Sequence, residues 1–258
     1  MKVSVVIAAV SGDRVTDRCI ESVKRFAAGR EIEWILMKGD PKSIFRLRAE
    51  GMLRASGNRI AVLGDRYEVT PSWIERLWAG ETAEVEVGPI DAAQNLSYWG
   101  WCVYLSEYAH VAPPAATGFA HHPKQMPGGN AIYPASVIRR EPPQSSDTEW
   151  IFHTRLRKAG IPVAIRPELD VRFSSPPRPG EYFAERFWLS RTIGASGGVP
   201  KLLFAPLLPL LLMARIALAS MKKPRLLFRF VASAPVIFVL SAIQAAGEFT
   251  GSLGGKPK

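Results

Sequence analysis

Short apolar runs alternate, along the first eighty positions, with segments in which apolar residues recur at helical spacing. Runs rich in valine and isoleucine predict strands buried on both faces of a parallel sheet. Apolar positions three and four residues apart, as at Cys19, Ile20, Val23 and Phe26, predict amphipathic helices. This alternation predicts an α/β domain with a mostly parallel central sheet, flanking helices and right-handed crossovers. The predicted strands are Val3–Ala9, Glu33–Met37 and Asn58–Leu63, and the predicted helices are Val15–Phe26, Ile44–Ala55 and Pro71–Ala79.

The pattern is less regular in the middle of the chain. An aromatic-rich segment predicts a helix over Leu96–Val111, and the proline-containing stretch Pro113–Pro127 predicts a loop. Gly160 predicts the end of a helix over Asp147–Ala159. The remaining predictions are strands at Val85–Pro89, Asn130–Tyr133 and Ile161–Ile165, and helices at Ser136–Arg140 and Tyr182–Ala195.

From Lys201 onward the chain is dominated by leucine, alanine, phenylalanine, valine and isoleucine. Leu202–Ala219 and Phe230–Ala246 are each close to the length of about 20 apolar residues that a membrane span requires. We expect C-terminal apolar membrane-associated helices, the first lying in the interface and the second spanning. Core helices of a soluble domain are the alternative. The sequence therefore predicts two parts, residues 1–195 and residues 196–258.

The chain is basic, with a formal net charge of +10 over 258 residues. Nucleic acid, an anionic membrane surface, a phosphorylated substrate or simply a solvated basic surface would each suit this charge. We favour membrane lipids, because four basic residues lie between the two apolar segments, where anionic headgroups attract each by about 1 kcal/mol. They are Lys222, Lys223, Arg225 and Arg229. The sequence contains no recognisable nucleic-acid motif, so we expect no nucleic-acid partner.

The cysteines and the N-terminus set the expected compartment. Cys19 and Cys102 have no metal-site spacing and form no disulfide framework, which suits a reducing compartment. The opening segment MKVSVVIAAV has only a short apolar run and no cleavage site. We interpret it as a first strand and not as a signal peptide.

Polar residues follow each predicted strand, where a parallel α/β domain binds its ligands. Three such places are Ala8–Asp13, Lys38–Asp40 and Gly64–Arg66, and a fourth precedes Glu149. Carboxylates at such positions suit general-base or metal chemistry, and arginine and lysine suit phosphate binding.

Taken together, these segments resemble family 2 glycosyltransferases of the GT-A fold, of the membrane-anchored bacterial type, with a degenerate Asp-x-Asp motif. The resemblance extends over nearly the whole chain and depends on several segments in order. These segments are SVVIAAVSGDRVTDRCIESV, RLRAEGMLRASGNRIAVLGD, WIERL, PGGNAIYPASVI, DTEWIFHTRLRKAGIPVAIRPELDV and GEFTGSL.

The resemblance implies an inverting transfer from a nucleotide-sugar donor to a lipid-linked or envelope polysaccharide acceptor. It places the enzyme at the inner membrane, with its catalytic domain on the cytoplasmic side. Counting back six residues from Arg155 gives Glu149 as the catalytic base, with Asp147 as the alternative. A structural interpretation also stands, in which one carboxylate caps the helix and the other lies in its first turn.

On the donor side, the resemblance implies contacts from Ala8, Ala9, Asp40, Arg48, Asp65 and Arg66. The chain departs from the family here, because Gly64-Asp65-Arg66 replaces the acidic Asp-x-Asp triplet and leaves one carboxylate. Either Asp65 holds a divalent cation, Mg²⁺ or Mn²⁺, with help from the donor, or Arg66 replaces part of the cation's charge. A loop that binds no metal is the third alternative.

On the acceptor side, the resemblance implies Gly128, Gly129, Asn130 and Trp150. Arg186 resembles an arginine that binds phosphate, although an amphipathic helix on a membrane would also explain this segment.

Two other classes of function remain open. The missing acidic residues suit a catalytically inactive relative that acts as a membrane scaffold or binding protein. A membrane-bound nucleotidyltransferase would need a longer glycine-rich basic loop than Ser11-Gly12-Asp13-Arg14.

Overall fold

The computed structural model describes residues 1–80, 82–115, 117–120, 122, 126–127, 129–145, 147–195 and 207–254. The chain divides into two compact units. Met1–Gln94 and Val111–Ser175 form the first, which we term the α/β unit, and Asn95–His110 and Pro176–Lys258 form the second, the helical unit. Residue 195, the predicted boundary, lies inside the second unit. Two helices of the predicted N-terminal domain pack with the apolar C-terminal helices, because their own faces are aromatic and apolar.

The described part of the α/β unit contains a seven-stranded sheet in the order β2-β1-β3-β8-β5-β9-β7. Strands β1, β2 and β3 are parallel, as predicted, whereas β8 pairs antiparallel with both β3 and β5. The sheet is thus mixed, because β1, β2 and β3 are parallel, β8 is antiparallel, and β5 pairs parallel with β9. The strands are β1 Val3–Ala9, β2 Ile32–Lys38, β3 Arg59–Gly64, β5 Val85–Val87, β7 Gly118–Phe119, β8 Asn130–Pro134 and β9 Val163–Ile165.

Helices cover both faces of this sheet. Because the β1–β2 and β2–β3 crossovers run in opposite directions along the sheet, right-handed connections place α1 and α2 on opposite faces. One core cluster joins α2, α5 and α6 to β1, β3 and β8 through residues such as Val6, Met52, Tyr133, Phe152 and Leu156. The helices of the α/β unit are α1 Asp13–Ala27, α2 Ile44–Arg54, α3 Pro71–Leu77, α5 Ala135–Arg140 and α6 Glu149–Lys158.

A second sheet has three strands in the order β4-β10-β6. Its strands are β4 Tyr67–Val69, β6 Ile90–Ala92 and β10 Val171–Phe173. The sequence pattern did not predict these three strands. The short β7 likewise falls inside the segment predicted as a loop.

A buried charge cluster ties β5 to β3 and α3. The Glu86 side chain is fully buried and accepts hydrogen bonds from Arg59 Nη2 at 2.6 Å and from Arg76 Nε at 3.1 Å. Burial lowers the pKa of Arg59, and the facing carboxylate of Glu86 opposes that shift. A single buried carboxylate therefore pairs with two guanidinium groups.

The helical unit contains α4 Tyr98–Tyr108, α7 Pro179–Ala195, α8 Leu208–Met221 and α9 Pro224–Gly254. By length and composition, α9 could cross a membrane over Pro224–Leu253, with a mean hydropathy of 2.2 in its most apolar window. The helix α8 is apolar but shorter. Both apolar segments predicted from the sequence are thus helical, within the residues that the structure describes.

Glycines allow α7 and α9 to pack backbone against backbone. A Cβ atom on Gly251 would lie 2.0 Å from the carbonyl oxygen of Arg191, and one on Gly247 would lie 2.5 Å from that of Phe187. Gly194 meets the Glu248 carbonyl in the same way, at 2.2 Å. The spacing of four between Gly247 and Gly251 is the small-xxx-small pattern by which apolar helices approach closely. This contact explains why the segment GEFTGSL is rich in small residues.

Replacing Gly251 with valine is expected to destabilise the helical unit by about 1–3 kcal/mol, because the new side chain would collide with backbone that cannot rotate away. The measurement is thermal unfolding of the purified chain, followed by circular dichroism. Gly180→Ala is the matched control, since a Cβ there meets nothing within 4 Å. Equal melting temperatures for the two variants would contradict the close packing.

Candidate active site

The carboxyl ends of the three parallel strands meet at one edge of the sheet, as predicted. Ala8 lies beside Met37 on β2 and beside Gly64 on β3, and Ala9 lies beside Lys38. The loops that follow these strands therefore share one edge of the α/β unit, and we term it the carboxyl edge.

At this edge the Asp65 carboxylate closes the loop after β1. Its Oδ2 atom accepts hydrogen bonds from the backbone N–H groups of Val10 and Ser11, both at 2.8 Å. Its Oδ1 atom accepts from Ser11 Oγ at 3.0 Å, and Arg66 Nε donates to the same hydroxyl at 2.8 Å. Asp65 is buried, with 4% of its surface exposed. Asp65 and Arg66 thus shape the loop that the donor would approach.

The residues here do not fit a divalent cation. Such an ion requires several hard oxygen ligands, whereas both Asp65 oxygens already accept hydrogen bonds from the protein. The described residues also contain no group of three histidine, cysteine, aspartate or glutamate side chains that could hold a metal. Within the described residues, Asp65 is therefore not part of a protein ligand set for the expected Mg²⁺ or Mn²⁺.

An ion pair between α2 and α6 joins two of the predicted residues. Arg48 Nη1 donates to Glu149 Oε1, and the side chains are 10% and 20% exposed. A Cβ on Gly129 would lie 2.6 Å from Arg48 Nη2, so the guanidinium group occupies space that only glycine leaves open. Gly129 also has φ of 75°, in the region that favours glycine.

This pair lies at the carboxyl edge. The carbonyl oxygen of Gly129 accepts a hydrogen bond from the Gly64 N–H at 2.7 Å, and Asp65 is the next residue along the chain. Contacts therefore lead from Glu149 through Arg48 and Gly129 to the end of β3. These contacts place Glu149 and Asp65 toward the same edge of the sheet.

The ion pair lines a small cleft of about 20 Å³, far below the range of about 300–1,000 Å³ that is common for small-molecule pockets. One wall is the α2 surface and the other is the start of α6 with the loop before it. Its lining residues are Phe45, Arg48, Ala49, Met52, Pro143, Gln144, Asp147, Glu149 and Phe152. The structure thus brings Arg48, Asp147 and Glu149 together.

The two candidate bases have different surroundings. Asp147 pairs with Arg155 Nη1 at 2.9 Å and accepts a hydrogen bond from the Gln144 N–H at 2.9 Å. Thr148, and not either carboxylate, caps α6, because its Oγ1 accepts from the Ile151 N–H. Asp147 therefore organises the loop before α6, whereas Glu149 faces the cleft.

Other predicted residues lie in varied environments. The Asp40 carboxylate caps the short 3-10 helix Pro41–Ser43 by accepting from the Lys42 N–H at 2.7 Å. Trp150 is 53% exposed on α6. Gly128 lies outside the described residues.

Asn130 is fully buried, which corrects its expected place on an acceptor surface. Its Oδ1 accepts from Trp73 Nε1 at 3.0 Å, and its Nδ2 donates to the carbonyls of Pro89 and Leu169 at 3.2 and 2.7 Å. A buried amide left without partners would cost about 1–3 kcal/mol, so its partners must come from inside the fold. Asn130 holds together the backbone segments around β8.

Arg186, the predicted phosphate-binding residue, lies in the helical unit. Its Nη1 donates to Glu107, its Nη2 donates to Gln244 Oε1 at 2.5 Å, and Tyr182 OH donates to the same Glu107 carboxylate at 2.6 Å. The Arg186 side chain thus takes part in a buried ion pair that joins α4, α7 and α9. The sequence pattern gave no indication of Glu107 as its partner.

Sequence analysis also missed a buried pair next to the cleft. Tyr133 OH and His153 Nε2 are 2.7 Å apart, and both residues pack against Phe152. Burial lowers the pKa of His153 to about 4 and raises the pKa of Tyr133. The recurrence of Phe152, His153 and Leu156 on one helix face was the available signal.

The buried His153 side chain is expected to make the free energy of unfolding depend on pH. Its pKa is 6.5 when unperturbed and about 4 in the fold, so below pH 6.5 the unfolded chain binds a proton that the fold excludes. The contribution of His153 to the free energy of unfolding is fully present above pH 6.5. It falls by about 3 kcal/mol as the pH drops toward 4. Urea unfolding at pH 7.5 and 5 measures it, and His153→Phe should flatten the dependence, unlike the exposed-site control His110→Gln. An unchanged pH dependence in His153→Phe would contradict the assignment.

The fold just described is an α/β architecture with a mixed central sheet flanked by helices. No family model matches the chain, and no curated protein matches its sequence. Solved structures of similar fold include S. aureus TarS 1-349, at 8% identity and a TM-score of 0.45 over 98% of this chain and 91% of that one. The structure of the same protein in complex with UDP has 9% identity and a TM-score of 0.46, over 98% of this chain and 90% of that one.

GalNAc-T7 with UDP, GalNAc and Mn²⁺ is also similar in fold. Its identity is 12% and its TM-score is 0.49, over 76% of this chain and 52% of that chain. Similarities of this size describe the path of the chain and assign no activity to it.

Proposed function

We propose that this chain is an inverting glycosyltransferase that moves a sugar from a nucleotide-sugar donor to a lipid-linked or saccharide acceptor. The observation that carries the proposal is the Arg48–Glu149 pair in a cleft at the carboxyl edge. A base and a phosphate-binding cation are the two groups that such a transfer requires. Their meeting at the edge where α/β domains bind ligands supports this function.

Arg48 would bind the donor's phosphates. A guanidinium group presents paired N–H donors that match phosphate oxygens, and its charge does not depend on pH near neutrality. The glycine at position 129 lets the group lie against the end of β3. Because the described residues offer no ligand set for a cation here, arginine would supply the positive charge that stabilises the departing nucleoside diphosphate, from Arg48 and from Arg66 on the loop after β3.

Glu149 would act as the general base. In the proposed step its carboxylate takes the proton of the acceptor hydroxyl, and the hydroxyl oxygen forms a bond to the anomeric carbon. The bond from that carbon to the phosphate oxygen breaks, so the nucleoside diphosphate leaves with the electron pair. A single displacement of this kind inverts the anomeric configuration.

The ion pair suggests an order of binding. While Arg48 is paired with Glu149, the guanidinium group occupies the carboxylate that an acceptor hydroxyl would need. A donor whose phosphates engage Arg48 would release the carboxylate for the acceptor. We therefore expect the donor to bind before the acceptor.

Membrane attachment at the cytoplasmic face of the inner membrane completes the proposal. The apolar helices α8 and α9 support attachment, and a cytoplasmic nucleotide-sugar pool supports that side. A lipid-linked acceptor would then diffuse in the same membrane.

One observation favours a second candidate, an inactive relative that binds partners at the membrane. The only carboxylate left in the metal motif, Asp65, is used to hold a loop. Such a scaffold would keep the fold and the membrane helices without binding a donor.

Nucleotide binding separates the two candidates. Titration calorimetry with UDP, GDP and dTDP should detect binding of at least one, and Arg48→Ala should weaken it by about ten- to a hundredfold, the value of a lost charge-assisted pair. Arg46→Ala is the matched control on the same helix, because Arg46 pairs with Glu50 on the exposed surface. Equal affinity with EDTA and with Mn²⁺ is expected. Absence of binding to all three nucleotides would favour the scaffold.

A further inference from the structure

The long helix α9 is covered on one side along nearly its whole length by α4 and α7. At its start, Arg229 lies 4.9 Å from the ring centre of Trp101, and the Ala232 carbonyl accepts a hydrogen bond from Tyr98. Near its end, Gln244 binds Arg186, and Ser252 Oγ donates to the Gly194 carbonyl at 3.3 Å. These contacts all lie within the helical unit.

The covered length is as great as a bilayer is thick. From Arg229 to Ser252 the helix rises by about 34 Å at 1.5 Å per residue, and the hydrocarbon core of a bilayer is about 30 Å. A crossing α9 would therefore take α4 and α7 into the hydrocarbon with it. The helix α7 carries the exposed residues Glu181 and Arg191, which the hydrocarbon disfavours by several kcal/mol each.

The opposite side of α9 is open and apolar. Phe228 is 76% exposed and Val231 is 65% exposed, and Phe238, Phe249 and Leu253 continue the same helical stripe. On α8, Leu218 is 61% exposed. The two helices thus each bury one stripe in the protein and present another apolar stripe outward, which is the pattern of helices that lie along an interface.

Charge identifies what covers this stripe. Residues 196–258 contain eight basic residues and one acidic residue, Glu248. Lys222 and Arg225 are exposed at the junction between α8 and α9, and Arg215 is exposed on α8. An apolar surface with basic residues at its margins matches the headgroups and acyl chains of an anionic lipid leaflet.

We propose that α8 and α9 lie in the plane of an anionic membrane, with their exposed apolar stripes in one leaflet, and that α9 does not cross the bilayer. This replaces the spanning helix expected from the sequence. It also places the basic junction and the α/β unit on the same side of the membrane, which a spanning hairpin would not. The inference extends the membrane attachment in the proposed function and does not depend on sugar transfer.

Thiol labelling tests the topology. Lys222→Cys and Thr250→Cys place exposed thiols near the two ends of α9. The native thiols Cys19 and Cys102 are buried, so the wild-type chain is the background control. In sealed inverted inner-membrane vesicles, a membrane-impermeant maleimide should label both new thiols without detergent. Labelling of only one thiol until detergent is added would show a crossing and overturn the proposal.

Vesicle flotation tests the lipid surface. The purified chain should float with phosphatidylcholine–phosphatidylglycerol vesicles, and less with phosphatidylcholine alone or at high salt. The pair Phe228→Ser and Val231→Ser should weaken flotation by about tenfold or more, with an unchanged melting temperature. The exposed Arg139→Ser on α5 is the control. The proposal would be overturned if the double variant and the wild type floated equally. It would also be overturned if the wild-type chain stayed unbound as a dimer with this face buried. Neither measurement uses donor binding or turnover, so the proposed function can fail separately.

Discussion

Replacing Glu149 with glutamine is expected to lower the rate of sugar transfer by about 10²- to 10⁴-fold, the usual value of a general base. Glutamine keeps the length of the side chain and can still reach Arg48, but it cannot accept the acceptor's proton. Nucleotide affinity should be unchanged or higher, because Arg48 would no longer be held by an anionic partner. The measurement is release of nucleoside diphosphate by the full chain with a lipid extract as acceptor.

Asp147→Asn is the matched control for Glu149→Gln. Asp147 lines the same cleft but pairs with Arg155 at 2.9 Å, so its loss should lower stability more than turnover. A rate that falls with Asp147→Asn and not with Glu149→Gln would exchange the roles of the two carboxylates. A wild-type chain that binds a nucleotide but transfers no sugar would instead support the inactive relative.

Replacing Glu86 with glutamine is expected to destabilise the α/β unit by about 3–5 kcal/mol, which is the cost of leaving a buried charge without its partner. The carboxylate is fully buried between Arg59 and Arg76, and Arg59 is itself only 2% exposed. Urea unfolding of the purified chain measures the change. A loss this large is a substantial part of the stability of an ordinary domain, which is about 5–15 kcal/mol.

Glu84→Gln provides the comparison, because Glu84 lies two residues away on the same segment and pairs with Arg166 at 2.7 Å with both side chains partly exposed. Surface pairs of this kind contribute about 0–1 kcal/mol. We therefore expect a large difference between the two variants. Equal losses in the free energy of unfolding for Glu84→Gln and Glu86→Gln would show that burial does not account for the stabilisation by the Glu86 cluster.

The parallel half of the fold was predictable because its signals are local. The apolar run Val3–Ala9 is a strand with the predicted bounds, and Gly160 follows α6 as predicted. The antiparallel place of β8 between β3 and β5 was not predictable, because no local pattern states which distant strand is the neighbour. The packing of α4 and α7 with the C-terminal helices was not predictable for the same reason, since it joins segments far apart in the chain.

The candidate site likewise combines residues that the sequence predicted with contacts that only the fold showed. Glu149 and Arg48 were named from residue type and spacing, but their ion pair joins residues 101 positions apart. Arg186 had a suitable charge, and only the fold showed that Glu107 and Gln244 bind it. Asn130 had a suitable position, and only its burial showed that its hydrogen bonds are internal.

By itself, the sequence determined where strands and helices form, which segments are apolar enough for a membrane, and which strand ends carry ionisable groups. Those properties follow from side-chain pattern and short-range sterics, which act within a few residues. Only the tertiary structure decided which charges are paired, which polar groups are buried and which side of α9 is open. These depend on contacts between residues far apart in the chain, where burial and neighbouring charge determine what a side chain does.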